Sequence, residues 1–194
     1  MTSVASIYRL KTETLFYSVS YLDSFLSDSA DVPPLQQLGL TCLWVACKFE
    51  ETSTPKLDKF IDVIDISTSK QDIIQLEQRV LNNLQYEISS PTCYVFLTHD
   101  IKMRQIGENV KCENLEQLAK FMSELSLLST TISLGYKCST IAASCFAMAR
   151  FTYRGDPWPE DLDECIKDLK MLYLSAKDMK EQATRNKFKK VTSV

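Results

Sequence analysis

The stretch LQQLGLTCLWVACKFEE, residues 35–51, decides how the rest of the chain must be arranged. It follows Pro33 and Pro34, which can open a helix because proline is tolerated at the first helical turn. From Leu38 to Phe49 it is apolar nearly all round. A helix with no polar face has to be surrounded by others, so Leu40, Leu43, Val45 and Ala46 mark the hub of a helical bundle. Gly39, Ala46 and Cys47 are small and permit close neighbours. Charge then arrives abruptly, at Lys48, Glu50 and Glu51.

Working outward, Leu15, Val19, Leu22 and Phe25 recur at helical spacing after Thr12, which the pattern places as an N-cap, with Asp23 and Ser24 on the other face. A polar loop, Asp28 to Val32, leads to the prolines. Beyond Pro55 a short segment carries Leu57, Phe60 and Ile61. Ser69 then caps a helix with Ile73, Leu76, Val80 and Leu84 on one face. Ser89, Ser90 and Pro91 end this unit. The second half repeats the order: a helix around Val95 to Ile101, another with Leu115, Leu118, Met122 and Leu125, a second apolar hub from Ile141 to Phe151, and a last helix with Leu162, Ile166, Leu169 and Tyr173. Placed over one another, Val45-Ala46-Cys47-Lys48-Phe49 matches Ala147-Met148-Ala149-Arg150-Phe151 and Pro55 matches Pro157, so the chain reads as two related helical units.

Composition narrows the function. The 194 residues are 45% hydrophobic, enough for one compact domain or two small ones, and four glycines with six prolines supply strand turns poorly. A net charge of -3 gives no broad positive field and disfavours nucleic-acid binding as the main activity. The basic cluster Arg185 to Lys190 reads as a solvated helix end. Seven cysteines without a C-x-x-C pair read as reduced core residues. Neither a basic leader with an apolar region nor a membrane-length apolar run is present, so the expected location is intracellular, nucleus or cytoplasm.

Catalytic groups are missing from the same text. The single histidine, His99, sits among Asp100 and Lys102 and receives no role. No G-x-x-x-x-G-K or G-x-G-x-x-G run offers a phosphate cradle, so no cofactor is expected. The cysteines lack zinc spacing, and the acidic pairs Glu50-Glu51 and Asp62/Asp65 lack an oxygen-ligand pattern, so no metal is expected either.

One constellation goes beyond a plain bundle: Lys48-Phe49-Glu50-Glu51, then Pro55, then Leu76-Glu77-Gln78-Arg79-Val80-Leu81. With Glu13-Thr14-Leu15, Tyr21-Leu22-Asp23, Phe25-Leu26-Ser27, Leu35-Gln36-Gln37-Leu38-Gly39 and Ser90-Pro91-Thr92, this string resembles the cyclin box in order and spacing, over about residues 8–98. The second half resembles the C-terminal box of A-type and neighbouring mitotic cyclins, through Glu124-Leu125-Ser126-Leu127, Trp158-Pro159, Cys165, Asp168-Leu169 and Tyr173-Leu174. Asn186-Lys187-Phe188-Lys189 looks like the family's closing helix.

The resemblance implies an all-α fold of two tandem cyclin-box bundles, residues 1–89 and 90–194. It implies a regulatory subunit without catalysis of its own, which binds and activates a cyclin-dependent serine/threonine kinase in cell-cycle control. Lys48 and Glu77 then face the kinase's movable helix, Phe49, Leu81, Tyr86 and Ile88 supply apolar contact, Glu50 and Glu51 belong to the same face, and Lys70 adds a peripheral charge. Leu35 and Gln36 match one wall of the family's groove for R-x-L docking peptides. Two other uses of such a fold compete: a transcription-factor-type core holding DNA, against which the acidic balance counts, and an adaptor.

The chain departs from the family's pattern at its start. Cyclins carry a full first helix, with an M-R-x-I-L motif and a tryptophan, before the segment that here begins at Tyr8; Met1 to Ile7 stand there instead. The expectation is a first box lacking that helix, an apolar hub exposed around Leu40 to Val45, and weakened docking of R-x-L peptides.

Overall fold

In a computed structural model the described residues are 1–62, 68–108 and 113–175, with the helix course but not the side chains given for 105–108. Among them there are helices and no strand. The chain divides into two units, Met1–Ser90 and Pro91–Val194.

The first unit contains α1 (Thr2–Ile7), α2 (Thr12–Asp28), α3 (Leu35–Glu50), α4 (Leu57–Asp62) and α5 (Lys70–Asn83). The apolar circumference of α3 is explained by what flanks it. Leu38, Cys42, Val45 and Ala46 face Tyr17, Tyr21 and Phe25 of α2 and Leu76 and Val80 of α5. Leu40, Leu43 and Cys47 face the other way, onto Val4, Leu57, Phe60 and Ile73. The two sets advance by three and four residues, which puts each on its own side of a 3.6-residue helix. Burying a side chain of this kind contributes about 1.5–3 kcal/mol, so α3 holds both halves of the unit's core.

The hub exposure expected around Leu40 to Val45 is not observed. Leu40, Leu43 and Val45 are 2%, 0% and 3% exposed. The cover comes from Met1 to Ile7, which folds as α1 and buries Val4 and Ala5, with Met1, Tyr8 and Leu10 packed on the same cluster. The Tyr8 hydroxyl donates to the Lys59 carbonyl at 2.5 Å and so ties this segment to α4. Thr12 is not the N-cap of α2 either; Lys11 is, in extended conformation. Ser69 does cap α5, its hydroxyl accepting from the Asp72 N–H at 3.1 Å while Asp72 Oδ2 accepts the Ser69 N–H at 2.9 Å.

The second unit contains α6 (Cys93–Glu108), α7 (Glu113–Ser126), α8 (Thr130–Gly135), α9 (Cys138–Arg154), a 3-10 turn over Glu160–Leu162 and α10 (Asp163–Ser175). Its hub is α9, which buries Ile141, Ala142, Cys145, Phe146 and Ala149 and packs on α6, α7 and α10. It stops at Gly155, whose φ of +72 lets the chain turn out of the helix with its N–H on the Phe151 carbonyl at 2.9 Å. Cys42, Cys47, Cys93, Cys145 and Cys165 are buried free thiols and Cys138 is half-buried. Cys112, Asp65 and the segments Arg185 to Lys190 and Asn186 to Lys189 lie outside the described residues. No helix among the described residues is long and apolar enough to cross a membrane.

Candidate functional site: the end of α3 and its neighbour α5

Lys48 lies in the last turn of α3, where the helix dipole favours a cation. Its ammonium is paired with the Glu77 carboxylate of α5 and stands 5.7 Å from the centre of the Trp44 ring, one turn back on α3. The two partners differ in access: the Lys48 side chain is 43% exposed and that of Glu77 is 13% exposed. A lysine ammonium carries three donors, so one bond to Glu77 leaves donors for acceptors brought from outside. The pair borders a groove of about 410 Å³ whose other walls include Lys56, Leu57, Lys70 and Ile74. Lys70 meets Asp58 at 3.1 Å with both side chains more than half exposed, a pair worth at most about 1 kcal/mol.

On the other flank of the α3 end stand the apolar candidates. Phe49 is 40% exposed and edge-on to the buried Tyr17, ring centres 5.2 Å apart. Leu81 and Ile88 are partly buried against the core. Tyr86 is 64% exposed and, with Gln85, has a left-handed backbone, φ 61 and 51. Such backbone is uncommon for residues other than glycine. It holds because the Tyr86 N–H reaches the Leu81 carbonyl at 3.0 Å, and the buried Tyr21 hydroxyl donates to the Ile88 carbonyl at 2.7 Å. Burial pushes the Tyr21 hydroxyl up from its ordinary value.

Glu50 and Glu51 are engaged inside the chain. Glu51 Oε1 accepts the Lys11 N–H at 2.7 Å and the Thr14 hydroxyl at 2.6 Å, so it caps the start of α2 from a distance in sequence. Lys11 Nζ bonds the Glu50 carbonyl and Glu50 Oε1, both at 2.8 Å, and that contact raises the Lys11 pKa. The two glutamates thereby lock α2 to the end of α3 that carries Lys48. Leu35, 63% exposed, and Gln36 sit on the first turn of α3, at the opposite end of that helix.

The structure brings Lys48, Lys70 and Glu77 to one groove. It adds Trp44 and Lys56, which the sequence reading passed over. Trp44 was findable, because four residues before Lys48 is the same face of a helix. The left-handed backbone at Gln85 and Tyr86 had no signal in the residue types. His99 is exposed beside Asp100, 3.5 Å away. Among the described residues no cluster of three or more His, Cys, Asp or Glu could hold a metal ion.

Two family descriptions match this chain: "Cyclin, N-terminal domain" over residues 1–89 and "Cyclin, C-terminal domain" over residues 91–193. The chain belongs to the cyclin family. It is 33% identical to G2/mitotic-specific cyclin-A of Hydra viridissima over 97% of its own length and 47% of the relative's. It is 35% identical to putative cyclin-A3-1 of Arabidopsis thaliana and 34% identical to cyclin-A2 of Bos taurus, covering 57% and 46% of them. The chain thus spans about half the length of the curated relatives it matches. The crystal structure of a viral cyclin from herpesvirus saimiri superposes with a TM-score of 0.67 at 18% identity, over 94% of this chain and 81% of that one, and agrees in fold.

Proposed function

We propose that this chain is a regulatory subunit that binds a cyclin-dependent protein kinase and activates it by holding the kinase's movable helix in the active position. The observation that carries the reading is the Lys48–Glu77 pair at the open edge of a groove between α3 and α5. A docked helix would present backbone carbonyls and amides there. The Lys48 ammonium donates to the former and the mostly covered Glu77 carboxylate accepts from the latter. Phe49, Leu81, Tyr86 and Ile88 supply apolar area beside the pair, and the Tyr86 ring is already held outward.

Activation in this scheme is a population shift. A kinase needs its active-site lysine paired with a glutamate of the movable helix. The cyclin draws the kinase toward that arrangement only as far as it binds it more tightly than the inactive one.

The test is reconstitution with a cyclin-dependent kinase and measurement of phosphoryl transfer. Lys48→Ala and Glu77→Ala each leave buried partner groups unpaired, a loss of about 2 kcal/mol or more, so activation at limiting cyclin falls about 30-fold. Unimpaired activation by both variants would remove the site, and no activation by the parent chain would remove the function.

A further inference from the structure

We propose that Trp44 is a positioning residue for the kinase contact: the face of its indole holds the Lys48 ammonium at the rim of the groove while Glu77 holds it from α5. The role given to Lys48 rests on the regulatory reading above; the hold of the ring on the ammonium does not.

Trp44 differs from the rest of its helix. From Leu38 to Cys47 every other residue is buried, and Trp44 alone is partly open. It lies one turn before Lys48, on the same face of α3. There it lines the groove with Leu57 and Ile74. The core sets its ring. The fully buried Phe60 ring lies 5.7 Å away, tilted by 54°, and itself meets the Tyr8 ring at 5.3 Å. The Tyr8 hydroxyl is tied in turn to the Lys59 carbonyl. An indole gripped in this way offers a fixed face.

The charge stands over that face. Lys48 Nζ is 5.7 Å from the ring centre, inside the distance of about 6 Å at which a ring quadrupole attracts a cation. An exposed ion pair alone restrains a long side chain weakly, because ordering it costs rotamer freedom. With 43% of the Lys48 side chain exposed, its pair with Glu77 is such a case. The ring adds a restraint of a different kind. Another carboxylate would reverse the local charge and take a further N–H donor, whereas a ring face holds the cation with its charge intact and packs on its aliphatic stem. The partner therefore meets an ammonium already in place, and less freedom is lost on docking.

The test separates the charge distribution of the ring from its size. Suppressor-tRNA translation of the full chain places mono-, di-, tri- or tetrafluorotryptophan at position 44; the fluorines drain the ring face and change its volume little. The concentration giving half-maximal activation of a cyclin-dependent kinase should rise stepwise, to about three-fold at the end of the series. In Lys48→Met, which has no cation, the series should be flat. In the free chain, NMR should find the Lys48 ε protons upfield of those of the other exposed lysines, and Trp44→Leu should return them. Thermal melts check that the variants fold; the fluorinated series carries the test if Trp44→Leu does not. Activation unmoved by fluorination overturns the proposal. So does an equal response in Lys48→Met, which would give the ring a role in the core or on the partner directly. If the parent chain activates no kinase, the regulatory reading falls and the proton shift decides alone: Lys48 ε protons at the ordinary lysine position overturn the hold of the ring.

Discussion

Lys48 and Arg150 stand at matching places near the ends of α3 and α9, each four residues after an aromatic ring, yet they meet carboxylates of different origin. Lys48 reaches Glu77 on another helix, 29 residues away, while Arg150 closes on Asp156, six residues along its own connection. The cause lies in how each helix stops. Gly155, at φ +72, turns the chain back so that Asp156 falls beside Arg150. Glu51 instead leaves α3 in extended backbone, φ -85 and ψ 139, and its carboxylate goes to the start of α2. One cation pins a loop; the other is left to bridge helices at an open groove. The same residue pattern therefore yields a local staple in one unit and a candidate binding pair in the other.

The comparison can be broken most forcefully at the hubs themselves. Leu43 and Cys145 occupy matching positions and both are 0% exposed. Leu43→Ala leaves a cavity between α3, α4 and α5 and should cost about 2–5 kcal/mol, whereas Cys145→Ala removes a single sulfur and should cost roughly 1 kcal/mol. Thermal unfolding reads both, and equal losses would mean that the cost does not follow the volume removed from each hub. Next in size is Gly155→Ala. A side chain in left-handed backbone costs about 1 kcal/mol, so this variant should lower the second unit's melting temperature by a few degrees and loosen Arg150 from Asp156. An unchanged melt would show that another conformation serves equally at this helix end.

How much of this was legible depended on where the information resides. The buried circumference of α3 is written in consecutive residues, and so are the faces of α5, α7 and α10, because a period repeated over several turns survives without tertiary context. Six-residue α1 and α8 offer no such repeat, and α1 is held by Val4, which finds Leu40 and Leu43 in space. Lys48 and Glu77 came from the resemblance, since 29 residues of separation carry no local rule. The duty of Glu51 could not be read at all: capping α2 depends on the α2–α3 packing that only the folded chain supplies.

The finest difference between the units concerns two carboxylates that start helices. Asp72, in the first turn of α5, is held below the ordinary aspartate value, roughly 3.9, by hydrogen bonds from the Ser69 hydroxyl and then its backbone N–H. Asp163, in the first turn of α10, is also held down, but first by Lys167, 2.5 Å away, and only then by Trp158. For both, a depressed folded pKa means that the stabilisation is present above the unfolded value and is lost as pH falls through the folded one. Salt separates them. At about 1 M the screening length shrinks to roughly 3 Å, which weakens an exposed ion pair but not a neutral hydroxyl's hydrogen bond. Carboxyl carbon NMR titrations should therefore show the Asp163 midpoint rising toward the ordinary value in high salt while that of Asp72 stays. Ser69→Ala should raise Asp72 at any salt, and Lys167→Met should raise Asp163 and abolish its salt response. If the two midpoints moved together, the capping box at Ser69 would be holding its carboxylate by charge rather than by hydrogen bonding, and this contrast between the units would disappear.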